Sequence, residues 1–284
     1  MREIVVLSGK GGTGKTTLTG VFATLGYPAV LADADVDAAN LHIILEPVVL
    51  DDEPFSGSRQ PVVKEEKCTR CGTCTALCRF EAIKDGVIDE VACEGCGVCY
   101  HACPAGAIRM ENTVSGRVYT CATRYGPFVY AELGIARENS GKLVARVKER
   151  ARGIAEREGK AYLVVDGPPG IGCPVIASLA GANLALVVTE PTPAGLHDLD
   201  RLLDVARHFG IRVAVCVNKA DLDAQVTVGI ENYCRAQSVP FVGRIPFARE
   251  VVASLVARRP VTRDGAGEAA QAIRDVWQRT LALL

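Results

Sequence analysis

The stretch Gly9-Lys10-Gly11-Gly12-Thr13-Gly14-Lys15-Thr16-Thr17, "GKGGTGKTT", follows closely on an apolar run at 3–7, "EIVVL". A short apolar run of this kind predicts a strand that is buried on both faces of a parallel sheet. The pattern G-x-x-x-x-G-K-[ST] then predicts a turn whose backbone N–H groups surround phosphates at the start of a helix. We expect Lys15 to act on the β- and γ-phosphates of a bound nucleotide and the Thr16 hydroxyl to bind Mg²⁺.

Beyond this loop, apolar runs alternate with helical patterns along most of the chain. The runs at 28–33, 161–170, 185–191 and 212–221 each lead into a polar loop. This alternation predicts an α/β fold of the P-loop NTPase type, with a mostly parallel sheet flanked by helices. Such sheets bind ligands at the carboxyl ends of their strands. Asp166 in "DGPPG" is therefore expected to hold the coordination shell of Mg²⁺, through water.

The bulk composition argues against several classes of function. The chain has 284 residues, 49% of them apolar, and a net charge of -1, so it lacks the basic excess of a nucleic-acid binder. Its apolar runs are far shorter than the ~20 residues of a membrane span, and its start does not resemble a signal peptide. The amphipathic segment 272–284 lacks a lysine-rich face, which argues against stable membrane association. We therefore expect a cytoplasmic protein.

Eight of the twelve cysteines form an internal repeat. The run Cys68, Cys71, Cys74, Cys78 recurs 25 residues later as Cys93, Cys96, Cys99, Cys103. In a reducing compartment, clustered cysteines indicate metal ligands rather than disulfides. The spacing C-x2-C-x2-C-x3-C is that of two-cluster bacterial ferredoxins, in which the fourth cysteine of each run ligates the other [4Fe–4S] cluster. The predicted ligand sets are Cys68, Cys71, Cys74 and Cys103 for cluster I, and Cys93, Cys96, Cys99 and Cys78 for cluster II. A pair of zinc sites is the alternative.

Residues 61–112 as a whole resemble those ferredoxins. The resemblance implies a small α+β ferredoxin-like domain inserted into the α/β domain. We therefore expect 1–60 and 113–284 to form the two parts of one nucleotide-binding domain, with 61–112 between them. Pro104 follows the second cysteine run as the resemblance requires, whereas Arg79 takes the corresponding position after the first run.

The letters K-G-G-T-G-K-T-T at 10–17 resemble the deviant Walker A motif of the MinD/ParA/Mrp superfamily of dimeric ATPases. The resemblance implies that Lys10 reaches across a dimer interface to the nucleotide of the partner subunit and takes part in catalysis. The segment "LADADVDAANLH" resembles switch I of this group. This second resemblance implies that Asp35 orients or activates the attacking water and that Asp33 supports the Mg²⁺ site.

Two further segments extend the resemblance around the nucleotide. The segment "DGPPGIGCPV" resembles switch II, which implies that the Gly170 N–H senses the γ-phosphate. Asn218 in "VNKAD" falls where the group contacts adenine. The same letters also fit the N-K-x-D guanine signature, in which Asp221 reads the base. We favour ATP because the other motifs follow the ATPase group, while the sequence alone leaves GTP open.

Three functions compete for this combination of motifs. The main prediction is a homodimeric ATPase that couples nucleotide state to electron transfer through the two clusters, toward an unknown redox partner. One alternative is an Mrp-type factor that assembles or delivers iron–sulfur or other metal cofactors. The other is a MinD/ParA-like positioning ATPase. Cys173 has the spacing from Asp166 of a cluster ligand in the nitrogenase iron protein, and the sequence leaves metal binding open for both Cys173 and Cys121.

Overall fold

The computed structural model describes residues 1–134, 140–261 and 267–284. The chain divides into two compact units. The first unit comprises Met1–Asp52, Val118–Glu132 and Ser140–Leu284, and the second comprises Glu53–Arg117 with Leu133 and Gly134. The predicted insert, 61–112, lies within the second unit. Each unit is described here by itself.

Nine strands of the described residues form one sheet that runs through the first unit. They are β1 (Arg2–Ser8), β2 (Ala29–Asp33), β3 (Val48–Phe55), β8 (Gly116–Thr123), β9 (Gly126–Leu133), β10 (Tyr162–Pro169), β11 (Leu184–Thr189), β12 (Arg212–Asn218) and β13 (Phe241–Ile245). Their order is β13-β12-β11-β1-β10-β2-β9-β8-β3. The pairings from β13 through to β9 are all parallel. The ligand-binding edge expected of a parallel sheet is therefore present.

The helices of the first unit follow the strands in alternation. They are α1 (Lys15–Ala23), α2 (Leu41–Leu45), α5 (Ser140–Arg157), α6 (Cys173–Leu179), α7 (Pro193–His208), α8 (Ala224–Ala236), α9 (Arg249–Val256) and α10 (Gly267–Leu281). Along β1, residues 4–7 are all buried, although successive side chains point to opposite faces of the sheet. Both faces are thus covered, and the predicted α/β fold with a mostly parallel sheet flanked by helices is confirmed.

The last helix belongs to the core. Trp277 on α10 is fully buried, its Nε1 donates to the carbonyl oxygen of Leu18 at 2.8 Å, and its ring centroid lies 4.5 Å from that of Phe22 on α1. The apolar stripe of α10 therefore packs on α1, as expected for a packing helix. No helix in the described ranges is both long and apolar enough to cross a membrane.

The second unit shows the internal repeat in its backbone. Its elements are β4 (Ser58–Val63), a 3-10 turn (Glu65–Lys67), α3 (Thr73–Leu77), β5 (Ile83–Lys84), β6 (Val87–Ile88), α4 (Val98–Ala102) and β7 (Ile108–Thr113). Strands β4 and β7 pair antiparallel, as do β5 and β6. Gly72 and Gly97 precede α3 and α4 with φ of 76° and 78°, in the left-handed region that favours glycine. The repeat seen in the sequence is thus also a structural repeat.

Candidate functional site

The predicted phosphate-binding loop lies between β1 and α1, at the carboxyl end of β1. Gly14 precedes α1 with φ +98°, and a Cβ there would lie 2.4 Å from Asn218 Nδ2, so only glycine fits. Gly9 is pressed in the same way against Asp198. Lys15 is buried and its Nζ donates to Ser8 Oγ at 3.0 Å. The loop, the lysine and the positive end of a helix dipole therefore converge on one place.

A cavity of about 640 Å³ opens beside this loop. Its lining combines three segments that are distant in the sequence: the loop itself, the segment after β2 and the end of β10. The lining includes Lys15 and Thr16 from the loop, Asp35 and Asn40 from the segment after β2, and Pro168 and Pro169 from β10. The predicted switch I and switch II segments are thus brought to the phosphate loop.

The segment after β2 is anchored by Asp33, the last residue of that strand. Its Oδ1 accepts a hydrogen bond from the Asp35 N–H at 3.0 Å, and its Oδ2 accepts from the N–H groups of Asn40 at 3.0 Å and Leu41 at 2.9 Å. Burial, followed by the charge of Asp166, raises the pKa of Asp33 well above its usual range. The carboxylate predicted to support Mg²⁺ thus holds both ends of the switch I segment.

Two side chains of this segment face the phosphate loop. Asp35 lines the cavity, and burial raises the pKa of its carboxyl group, while the nearby Lys15 ammonium lowers it. Asn40 accepts a hydrogen bond on its Oδ1 from the Thr16 hydroxyl at 2.9 Å. A hydroxyl that donates its proton keeps its lone pairs available for a cation. Thr16 is therefore oriented in a way that suits a Mg²⁺ ligand.

Asp166 on β10 is a buried carboxylate without a hydrogen bond. Among the described residues, neither of its oxygens has a hydrogen-bond partner. Burial is the largest cause that raises the pKa of Asp166, to about 6, while the nearby Lys15 ammonium lowers it. An unpartnered buried carboxylate is costly unless a cation or its water shell satisfies it. The donor set around Asp166 and Thr16 thus fits Mg²⁺ held by oxygen ligands.

The predicted γ-phosphate sensor is engaged within the protein. The Gly170 N–H donates to the carbonyl oxygen of Ser8 at 2.9 Å, and Gly170 has φ +88°. This contact joins the end of β10 to the end of β1. Any contact of this N–H with a phosphate therefore requires the switch II segment to rearrange.

Lys10 forms part of a three-residue charge cluster. Its Nζ lies 2.8 Å from Glu190 Oε2, and Lys219 Nζ lies 2.5 Å from Glu190 Oε1. Lys219 Nζ also donates to the Gly12 carbonyl oxygen at 3.3 Å. Burial alone would raise the pKa of Glu190, but hydrogen bonds from the two lysines hold it below its usual value. One carboxylate thus pairs with two ammonium groups beside the phosphate loop.

The predicted base-binding residues lie at the carboxyl end of β12. Asn218 Nδ2 donates to the Thr13 carbonyl oxygen at 2.7 Å, and its Oδ1 accepts from the Lys219 N–H at 3.0 Å. Asp221 Oδ1 accepts from the Phe247 N–H at 2.6 Å. Asn218 therefore braces the phosphate loop, and Asp221 fixes the loop that follows β13.

The eight repeated cysteines line two cavities of the second unit. Cys68, Cys71, Cys74 and Cys103 line one of about 340 Å³, and Cys78, Cys93, Cys96 and Cys99 line a tighter one of about 20 Å³. These are the two sets that the cross-ligation pattern predicts. No three His, Cys, Asp or Glu side chains in the described parts of the chain lie close enough together to hold one metal ion.

The four remaining cysteines have different environments. Cys121, Cys216 and Cys234 are buried, and burial raises the pKa of each thiol, to about 11 for Cys121 and Cys234 and to about 12 for Cys216. Cys216 and Cys234 are thus packing residues, as expected. Cys173 is exposed at the start of α6, so it is not the buried residue that a packing role would require.

Sequence reasoning missed Glu190, Asn40 and Lys219. Glu190 follows β11 directly, and an acid at the carboxyl end of a parallel strand was the available signal. Asn40 and Lys219 lie inside the segments predicted as switch I and as the base-binding segment. Their partners, Thr16 and Glu190, are too far away in the chain for spacing to reveal them.

Comparison with known proteins places this geometry in a family. The model of the family described as CobQ/CobB/MinD/ParA nucleotide binding domain matches residues 4–261. An uncharacterised protein of Methanocaldococcus jannaschii is 28% identical over 281 residues, covering 98% of this chain and 95% of that relative. A putative septum site-determining protein MinD of Nephroselmis olivacea is 27% identical over 280 residues, covering 93% of this chain and 83% of that relative.

A solved structure of a MinD protein has a similar fold. The MinD cell division protein of Aquifex aeolicus superposes with a TM-score of 0.59 at 21% identity, covering 99% of this chain and 97% of that one. At that identity the likeness concerns the fold alone. Together with the family match, it supports the prediction of a nucleotide-binding ATPase.

The main functional prediction is contradicted by these comparisons. The Nephroselmis olivacea relative, whose name states a role, is a putative septum site-determining protein, and its alignment covers 93% of this chain. Nothing in these relatives supports iron–sulfur electron transfer of the ferredoxin type or a redox partner. The prediction of an electron-transfer protein is therefore wrong. The cysteine spacing is a local signal. It indicates possible metal ligands within one segment, and it does not define the function of the whole chain.

Proposed function

We propose that this chain, which belongs to the CobQ/CobB/MinD/ParA family of nucleotide-binding domains, is a positioning ATPase of the MinD/ParA type. In such a switch, the ATP state brings two copies together and presents a surface that the ADP state lacks. The observation that carries the proposal is the buried Asp166, whose oxygens have no hydrogen-bond partner among the described residues and whose charge interacts with Lys15, a residue that lines the cavity at the phosphate loop. The relation to a septum site-determining MinD over 93% of the chain supports the positioning role.

The proposed chemistry gives each side chain the role that the resemblance to MinD/ParA ATPases implies. Lys15 and the N–H groups of the loop would bind the β- and γ-phosphates, and Asn218 would contact the adenine. Thr16, with Asp166 through water, would hold Mg²⁺, which neutralises phosphate charge during transfer. Asp35 lines the same cavity, and its raised pKa suits a group that orients or activates water.

The deviant Walker A motif adds a requirement for a second subunit. Lys15 already supplies the phosphate-binding ammonium of the loop, so Lys10 is a second positive charge that its own site does not need. Its side chain is 43% exposed, which leaves it accessible to a partner. We assign Lys10 to the nucleotide of the partner subunit in a homodimer.

The decisive experiment compares the ADP and ATP states of the protein for oligomeric mass and for binding to lipid vesicles and DNA. Purified protein is incubated with Mg²⁺ and either ADP or a non-hydrolysable ATP analogue, and its mass is measured by analytical ultracentrifugation. Co-sedimentation with anionic phospholipid vesicles and with duplex DNA follows, with GTP analogues in parallel. We expect ATP-dependent dimers and ATP-dependent binding to one of these surfaces. Equal mass and equal binding in both nucleotide states would contradict the proposal.

Lys10→Ala provides the matched test of the motif. The variant should keep nucleotide binding within about threefold, because Lys15 still holds the phosphates, and should lose ATP-dependent dimerisation and hydrolysis. Lys15→Ala is the control and should lose nucleotide binding itself. A Lys10→Ala protein that dimerises and hydrolyses ATP normally would refute the role in trans.

The second unit carries a separate proposal about cofactors, which does not involve electron transfer to a partner. The four cysteines of each predicted ligand set line one cavity of the second unit. Four thiolates bind a [4Fe–4S] cluster through four different irons, so they need not converge on one ion. We therefore assign a [4Fe–4S] cluster to each set, within a ferredoxin-like insert.

Metal analysis tests the cofactor assignment. Protein purified without oxygen should contain about eight iron and eight acid-labile sulfide per chain, which follows from two four-iron clusters. Cys71→Ser and Cys96→Ser, each in one set, should each lower the content by about half. Two zinc ions per chain without sulfide would overturn the assignment.

A further inference from the structure

Glu190 pairs with Lys10 and Lys219 beside the phosphate loop, and the two lysines differ in how many other contacts hold them. Lys219 lies between Glu190 and the Gly12 carbonyl oxygen, and its backbone has φ +56°, a conformation that L-residues rarely adopt. Among the described residues, by contrast, the Lys10 ammonium group contacts Glu190 alone, and the Lys10 side chain is 43% exposed. Lys219 is therefore fixed, and Lys10 is the member that is able to leave.

The backbone of Glu190 is rigidly held. Its carbonyl oxygen accepts from the Thr192 N–H at 2.8 Å, in the turn between β11 and α7. Gly195 approaches the same oxygen so closely that a Cβ would lie 2.4 Å from it. A carboxylate on such a support has a defined position relative to the phosphate loop.

The charge balance explains why one acid serves two bases. The Glu190 side chain is only 11% exposed, and a buried charge that loses its sole partner is strongly destabilising. When Lys10 departs, Glu190 is still paired with Lys219, so no buried charge is stranded. When Glu190 is removed, both lysines lose their counterion. The arrangement thus permits the release of Lys10.

We infer that Glu190 is a positioning residue that holds Lys10 against its own subunit and gives it up when the nucleotide of a partner subunit competes for it. The inference rests on the proposed function, since it takes Lys10 to act in trans. Each protomer of a dimer then exchanges one Lys10–Glu190 pair for one Lys10–phosphate pair. Dimerisation must therefore break two Lys10–Glu190 pairs, one in each protomer, and the free energy of these pairs opposes it.

Two substitutions should shift dimerisation in opposite directions. A partly exposed ion pair is worth up to a factor of about five. Because dimerisation breaks two such pairs, Glu190→Gln should lower the dimer dissociation constant, in Mg²⁺ and a non-hydrolysable ATP analogue, by up to about 25-fold. Lys219→Met leaves Lys10 as the sole partner of Glu190, so this variant should raise the dissociation constant. Glu190→Asp keeps the charge and should lie between Glu190→Gln and the wild type.

The measurement is sedimentation equilibrium, with ATPase rate against protein concentration as the second readout. The midpoint concentration of the ATPase curve should fall for Glu190→Gln and rise for Lys219→Met, since the rate then follows the dimer population. Circular dichroism and the fluorescence of the single tryptophan check that each variant is folded. A merely structural role would weaken dimerisation in both variants, and that result would overturn the inference.

Lys10→Ala separates this inference from the function on which it rests. If Lys10→Ala fails to dimerise while Glu190→Gln and Lys219→Met match the wild type, Lys10 acts in trans and Glu190 does not restrain it. If Lys10→Ala dimerises like the wild type, the proposed role of Lys10 itself has failed.

Discussion

At the scale of single residues, the site is governed by carboxylates in a buried setting. Asp33, Asp35 and Asp166 all have raised pKa values, and burial is the largest cause in each case. Three acids at the carboxyl ends of adjacent strands repel one another until a cation or a proton arrives. Repulsion among the three carboxylates therefore raises the free energy of the site, and the Lys15 ammonium and a bound Mg²⁺ would lower it.

Asp166→Asn should change how stability depends on pH. Because the folded-state pKa of Asp166 is about 6 against an ordinary 3.8, the folded protein holds a proton that the unfolded chain releases between those values. Stability in the absence of nucleotide therefore falls as pH rises from about 4 to 6. The variant should remove that loss, which is on the order of 3 kcal/mol.

Urea unfolding at pH 4.5 and pH 7, in EDTA, measures this effect. The variant and the wild type should be close in stability at the lower pH, and the variant should be more stable at the higher pH. An unchanged pH profile would show that Asp166 is ionised throughout.

Asp33→Ala tests the anchoring of the switch I segment. Without the carboxylate, the N–H groups of Asp35, Asn40 and Leu41 lose their acceptor, and each buried unpaired group costs about 1–3 kcal/mol. The free energy of unfolding should fall by at least about 3 kcal/mol, even without Mg²⁺ or nucleotide. Asp35→Ala is the control and should change it by less than about 1 kcal/mol. Equal effects of the two variants would argue that Asp33 acts only on the cation.

At the scale of elements, α6 is held from its carboxyl end by α5. The buried Lys148 on α5 donates to the carbonyl oxygens of Ala177, Ser178 and Ala180, and it pairs with Glu3 of β1 at 2.8 Å. Burial lowers the pKa of Lys148, while Glu3 raises it. Cations at a helix carboxyl end satisfy unpaired carbonyls and the helix dipole. This contact fixes the helix that follows the switch II segment.

Lys148→Met should destabilise the fold by about 3–5 kcal/mol, because it leaves Glu3 with only part of its counterion and frees the end of α6. Glu149→Gln on the same helix is the matched control. Its ion pair with Arg146 is exposed, so the change should stay within about 0.5 kcal/mol. Denaturant unfolding of both variants gives the comparison, and similar losses would contradict the buried network.

At the scale of the whole molecule, each unit has a hydrophobic core of its own. The core of the first unit includes Trp277, and that of the second is built on Ile83, Cys99 and Ile108. Because Trp277 is the single tryptophan of the chain, its fluorescence reports the unfolding of the first unit.

Separate cores predict separate responses to metal loss. Cys71 is exposed, and we propose it as a cluster ligand, so Cys71→Ser should lower the iron content and leave the transition monitored by Trp277 within about 0.5 kcal/mol of the wild type. Phe22→Leu is the control that must shift it, since it removes the ring whose centroid lies 4.5 Å from that of Trp277. A shift of more than about 1 kcal/mol in Cys71→Ser would show that the two units unfold together.

The edge of the sheet was the part of the fold that sequence reasoning did not find. Strands β3, β8 and β9 were not predicted, although β9 pairs in parallel with β2. In β3, nearly every residue is exposed or partly exposed, so the apolar pattern that marks a buried strand is missing. The pairing of such a strand depends on its neighbours in space.

The sequence by itself determined the phosphate loop, the parallel strands around β1, and which cysteines share a cavity. Each of these is a local pattern, because a few residues at fixed spacing set the turn, the burial or the ligand geometry. Only the tertiary structure decided that Asp33 anchors the switch I segment, that Asn40 orients Thr16 and that Glu190 lies between Lys10 and Lys219. Those contacts join residues from different strands and loops, and their partners are chosen by distance and by the need to satisfy buried charge. Spacing along the chain does not encode that choice.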